Sequence, residues 1–126
     1  MKVAIPVTSP TPRTDMSATF GRTDHFLVYD SLDGAVEFIA NTAAASPGGT
    51  GVAAAQVLVD AGVAAVLTAR CGDRATAVLH AAGIDVYHVK RTTASAALAS
   101  WVGGGASTLR SAAESVPDGL RPGGVS

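Results

Sequence analysis

The stretch from Gly51 to His88, GVAAAQVLVDAGVAAVLTARCGDRATAVLHAAGIDVYH, decides the fold. Twice within it an alanine-rich segment with a helical apolar stripe runs into a glycine and then into a short β-branched run. The first unit is Gly51 to Ala61, Gly62, then Val63 to Thr68; the second is Asp73 to Ala82, Gly83, then Ile84 to His88. A glycine just past a periodic segment marks a helix C-terminus, because it adopts positive φ without a Cβ penalty. The stretch therefore predicts helix, strand, helix, strand, and successive units of this kind build a parallel sheet with right-handed crossovers.

Upstream the pattern is different. Lys2 to Val7 is an apolar run stopped by Thr8-Ser9-Pro10-Thr11-Pro12, which predicts a buried strand and then a loop lasting to Asp24. Phe26 to Asp30 and Ala35 to Ala40 are β-rich runs joined by Ser31-Leu32-Asp33-Gly34, whose Asp-Gly pair predicts a hairpin. Downstream, Thr92 or Thr93 caps a third helix through about Val102, and Gly103-Gly104-Gly105 ends it. Residues 1–102 thus read as one α/β domain. Residues 103–126 read as a Gly/Pro-rich tail in which a short helix from Ala106 is allowed.

A meander followed by two crossovers predicts a five-stranded mixed sheet of order 3-2-1-4-5 with only strand 2 antiparallel. The C-terminal ends of strands one, three, four and five then share an edge with the start of strand two, where open α/β sheets bind ligands. Six of the nine basic residues gather there, Arg13, Arg22, Arg70, Arg74, Lys90 and Arg91, against Asp15, Asp24 and Asp73. An anion is the simplest guest for such an edge.

Composition bounds the function. At 126 residues, 48% of them apolar, the chain can bury a core of its own. A formal charge of -1 argues against nucleic-acid and anionic-membrane binding. The one cysteine excludes an internal disulfide, and the opening residues lack the organisation of a signal peptide. With no apolar run of membrane-spanning length, a soluble cytoplasmic protein is expected.

Cys71 stands in Arg70-Cys71-Gly72-Asp73, where a strand gives way to a helix. The positive end of the helix dipole is expected to lower its pKa, which suits a thiolate ligand or a nucleophile; a small packed residue is the plain alternative. His25, His80 and His88 lack the paired spacing of a zinc site, and one cysteine with two edge histidines cannot close a four-ligand centre. Pro47-Gly48-Gly49-Thr50-Gly51 precedes a helix and would expose N–H groups suited to oxyanions, but it lacks the Gly-Lys-Ser/Thr ending of a phosphate loop. The sheet order also occurs in ribonuclease-H-like nucleases, whose metals need several carboxylates; strand one has none.

Three segments together carry a resemblance: Met1 to Val7, Phe20-Gly21-Arg22-Thr23-Asp24-His25 through Asp30, and Cys71-Gly72-Asp73-Arg74-Ala75 with Ala82 to Tyr87. In this order, over residues 1–102, the chain resembles the dinitrogenase iron–molybdenum cofactor biosynthesis family, which includes NifX-like carriers and small stand-alone proteins. The resemblance implies a ribonuclease-H-like fold and a role in binding or carrying anionic metal–sulfur clusters, of iron–molybdenum or iron–sulfur type, rather than catalysis. Members commonly have histidine before Phe-Gly, where this chain has Thr19, and His-Gly in the loop after strand three, where it has Ser46-Pro47-Gly48-Gly49. Their Cys-Gly-Pro-Asn-Ala appears as Cys71-Gly72-Asp73-Arg74-Ala75.

The expected protein is a non-enzymatic carrier with no catalytic residues. Cys71 supplies a thiolate, with His25 as a candidate second metal ligand. Arg22, Arg70, Arg74 and Arg91 neutralise the cluster, and N–H groups around Gly48, Gly49 and Gly72 donate to it. Its partners are cluster donor or recipient proteins, and the exposed third strand allows a homodimer. The alternative is a metal-free sensor domain binding a phosphorylated or carboxylated metabolite at the same edge.

Overall fold

The computed structural model of the protein describes residues 1–11, 13–42, 50–102 and 107–108. The elements run β1 (Lys2–Val7), β2 (His25–Asp30), β3 (Val36–Ala40), α1 (Thr50–Ala61), β4 (Ala65–Thr68), α2 (Asp73–Ala81), β5 (Asp85–His88), α3 (Ala94–Val102) and β6 (Ser107–Thr108). They form one mixed sheet of order β3-β2-β1-β4-β5-β6. The expected five-stranded order is present: β2 is antiparallel to β1 and β3, while β4 and β5 run parallel to β1.

One addition departs from expectation. Instead of joining a helix, Ser107 and Thr108 pair antiparallel with His88 and Tyr87. A short helix must meet its nucleation cost alone, whereas the open edge of β5 offers backbone partners to a passing strand. The remainder of the expected tail, and the Gly48-Gly49 loop, lie outside the described residues.

Strand alternation divides the core into two layers. Ala4, Phe26, Val28, Val66 and Val86 pack beneath α1 and α2, with Leu58 and Leu79 from the helices. Val3, Ile5, Val7, Leu27 and Leu67 pack on the other face against Ala94 and Ala97 of α3. Because side chains on a strand alternate between faces, the continuous apolar run of β1 serves both layers at once.

Both predicted helix stops take the same form. Gly62 and Gly83 have φ of 75° and 80°. Gly62 N–H donates to Val59 O at 3.1 Å and Val63 N–H to Leu58 O at 3.4 Å; Gly83 N–H donates to His80 O and Ile84 N–H to Leu79 O, both at 2.9 Å. These are Schellman pairs, and each places two core residues, Leu58 with Val63 and Leu79 with Ile84, across the helix end. Thr93, rather than Thr92, caps α3: its Oγ1 accepts from Ala96 N–H at 3.2 Å.

The segment from Thr8 to Asp24 is pinned to the body. Met16 is fully buried, its N–H donates to Thr92 O at 2.8 Å, and Ser17 N–H donates to Pro6 O at 2.8 Å. Among the described residues no helix is long and apolar enough to cross a membrane.

Candidate functional site

The C-terminal edge of the sheet holds an open cleft of about 440 Å³. One wall is Thr19, Phe20, Gly21 and Arg22 from the β1–β2 connection; the other is Arg70, Cys71 and Gly72 from the β4–α2 turn, and Gly51 of α1 also lines the cleft. Each wall is held by buried chemistry. Phe20 is 2% exposed and lies against Phe26 with ring centroids 5.4 Å apart. Thr23 Oγ1 donates to Val7 O at 2.7 Å, and Asn41 Nδ2 donates to Gly21 O at 3.0 Å and Thr23 O at 2.8 Å. These bonds satisfy the backbone carbonyls of an irregular segment that would otherwise be buried without partners.

On the opposite wall, Thr68 Oγ1 donates to Arg70 O at 2.9 Å, fixing the chain as it leaves β4. Gly72 is the N-cap of α2 in an extended conformation and has no side-chain cap. The first-turn N–H groups of α2, which no helical carbonyl can satisfy, therefore begin at the cleft. Buried Thr76 anchors the turn, donating through Oγ1 to Gly72 O at 2.9 Å and contacting the Cys71 thiol. Gly51 marks the close approach of α1 to α2, where an added Cβ would meet Ala75 Cβ at 3.4 Å.

The thiol differs from expectation. Cys71 is half-buried against the α1–α2 core layer, and its pKa is pushed up chiefly by burial; the Thr76 hydrogen bond lowers it in part, and the Asp73 carboxylate adds a smaller rise. The direction is opposite to the one expected from the helix end, and desolvation is its largest cause. Burial thus favours the protonated thiol, and a soft metal taking this sulfur would displace its proton.

Of the expected site residues, Arg22, Arg70, Cys71 and Gly72 meet in the cleft. Arg74 is exposed on α2 outside the lining. Arg91 lies elsewhere on the edge, where its Nε donates to Met16 O at 3.3 Å beside a second hollow formed with Asp15, Thr92 and Thr93. His25 is not brought to Cys71. Its neighbour Phe26 faces the α1–α2 layer, so alternation puts His25 on the other face with Leu27, and its Nδ1 is buried without a partner. Among the described residues no three His, Cys, Asp or Glu side chains gather as a metal site. Sequence reasoning missed Phe20, Thr23 and Asn41 as parts of the site, because burial of a loop residue has no periodic signature, and Thr76, because its bond back to Gly72 within α2 has no mark in residue type.

Known proteins share the family and the fold. A family model described as dinitrogenase iron–molybdenum cofactor matches residues 1–104. The apo orange protein from Desulfovibrio gigas is 29% identical with a TM-score of 0.83, the match covering 86% of this chain and 92% of that one. A candidate NifB protein from Thermotoga is 33% identical with a TM-score of 0.76, again over 86% and 92%. A candidate dinitrogenase from Methanocaldococcus jannaschii, 18% identical over 86% and 94% with a TM-score of 0.66, shares the fold. A search of curated protein sequences gave no match. With the family model spanning most of the chain, from β1 past the end of α3, this protein belongs to the dinitrogenase iron–molybdenum cofactor family.

Proposed function

We propose that the protein binds and hands on a preassembled anionic metal–sulfur cluster in the cleft between Arg22 and Arg70, without catalysing a reaction. The observation that supports this most is the convergence there of one thiol, two guanidinium groups and the uncapped start of α2. Family membership supports a role in handling such a cofactor. With no gathered ligand set among the described residues, the cleft suits cargo that arrives with its metals already bridged by sulfide. Guanidinium and backbone donors would neutralise it, and Cys71 would contribute one soft ligand after losing its proton. Few covalent bonds suit release to a recipient.

The deciding experiment is anaerobic reconstitution with elemental analysis and visible spectroscopy, on wild type, Cys71→Ser and Arg22→Gln/Arg70→Gln. Bound metal with charge-transfer absorption, reduced in both variants, is expected. Equal loading of all three would remove the cleft from the reading. A second reading is favoured by the raised thiol pKa and the uncapped helix: the cleft takes a phosphorylated or carboxylated metabolite without metal. A colourless protein that refuses cluster yet binds such an anion, with Cys71→Ser unaffected, would establish that one.

A further inference from the structure

Charge in the described body is segregated along the strand direction. Where β1, β4 and β5 end lie Arg13, Arg22, Arg70, Arg74, Lys90 and Arg91, opposed by Asp15, Asp24 and Asp73. Where those strands begin, β2 turns into β3 and α1 ends, Asp30, Asp33, Glu37, Asp60 and Asp85 outweigh Lys2 and the terminal ammonium. The described body thus carries opposite charge at its two ends, with the cleft at the positive one.

Of the six cations, Arg22 and Arg70 line the cleft, while Arg13, Arg74, Lys90 and Arg91 stand exposed outside it. A ligand that fits about 440 Å³ leaves those four untouched. They are suited to something larger that covers the cleft mouth. We propose that Arg13, Arg74, Lys90 and Arg91 form a docking rim for the acidic face of a partner protein, which the charge segregation turns towards the cleft on approach.

A protein fits this rim better than a nucleic acid does. Among the described residues carboxylates interrupt the cations, which therefore form no continuous track for phosphates, and the acidic far end repels a long polyanion. Each described aromatic side chain is buried or half-buried, so no stacking platform is available for bases. Rim charges of this kind act mainly on encounter rate and orientation and weaken with salt. The surface stands on charge placement and does not require the cluster reading.

The test uses the full chain, isotopically labelled, titrated with a short poly-glutamate peptide and separately with oligothymidylate, at low and at physiological ionic strength. Amide shifts are expected around Arg13, Arg74 and Lys90, with peptide affinity falling as salt rises. The double variant Arg13→Gln/Lys90→Gln removes exposed cations outside the cleft, so its melting temperature and cluster uptake should match wild type while peptide affinity drops about tenfold. Shifts at the Lys2–Glu37 end, unchanged peptide affinity in the double variant, or equally tight oligothymidylate binding would each overturn the proposal. Persistent rim binding in a protein that takes no cluster would remove the cargo reading and leave the docking surface standing.

Discussion

Burial of the Cys71 sulfur against the α1–α2 layer disfavours its thiolate, and the Asp73 carboxylate two residues on adds to that effect. The thiol should therefore alkylate slowly at neutral pH, with the rate rising at a midpoint above that of free cysteine. Asp73→Asn removes a source of the rise and should shift the midpoint down; Thr76→Val removes the one lowering contact and should shift it up. Iodoacetamide kinetics against pH read both directions, and an unchanged midpoint in each variant would refute the electrostatic account. The same sign governs loading. If the thiolate is the ligand, cluster uptake releases a proton and should strengthen as pH rises from mildly acidic towards the thiol's pKa. Phe20 belongs to this scale too. Its ring is buried beside Phe26, so Phe20→Ala should cost about 3–5 kcal/mol in urea unfolding and loosen the wall that carries Arg22.

At the scale of elements, two glycines next to helices should respond unequally to the same substitution. Gly83 closes α2 at φ 80°, so Gly83→Ala forces a Cβ into left-handed backbone and should lose about 1 kcal/mol or more. Gly72 begins the same helix with φ of -66°, and an added Cβ would meet nothing within 4 Å. Gly72→Ala should then change stability by less than about 0.5 kcal/mol, and cluster loading should persist because only the backbone N–H is asked of this position. Equal losses in chemical denaturation would show that the turn geometry has been misjudged. The contrast also explains which parts of the fold were legible from residues. Glycines after apolar-periodic segments, and the stop at Thr8 to Pro12, are local signals; the strands and helices expected within residues 1–102 fell within a residue or two of expectation. The cleft's outer wall is set instead by long-range contacts, such as Asn41 to Gly21 and Thr23. Neither residue type nor spacing announces those. Likewise Arg91 shares the edge with Arg70 in topology, yet its bond to Met16 holds it beside α3, and the two-residue period carried His25 to the far face.

For the whole molecule, topology decides where the structure should open. β1 and β4 lie inside the sheet, hydrogen-bonded on both sides and packed by both helical layers, whereas β3 is an edge with Val36 47% exposed. Local opening free energies span the range from near zero to the global value, and an edge with one row of partners sits at the low end. Amide exchange in Val3 to Ile5 and in Val66 should therefore be at least about tenfold slower than in Phe38 and Ile39 at low protein concentration. The comparison also bears on self-association, since β3 is the strand through which a homodimer would form. If a second copy pairs along β3, protection of Phe38 and Ile39 should rise with concentration while that of β1 stays at the global limit. Protection of β3 equal to that of β1 at every concentration would contradict the edge assignment, because nothing else described in the chain covers that strand. Exchange that stays fast in β3 at high concentration would leave the positive end, rather than the sheet edge, as the surface through which this protein meets others.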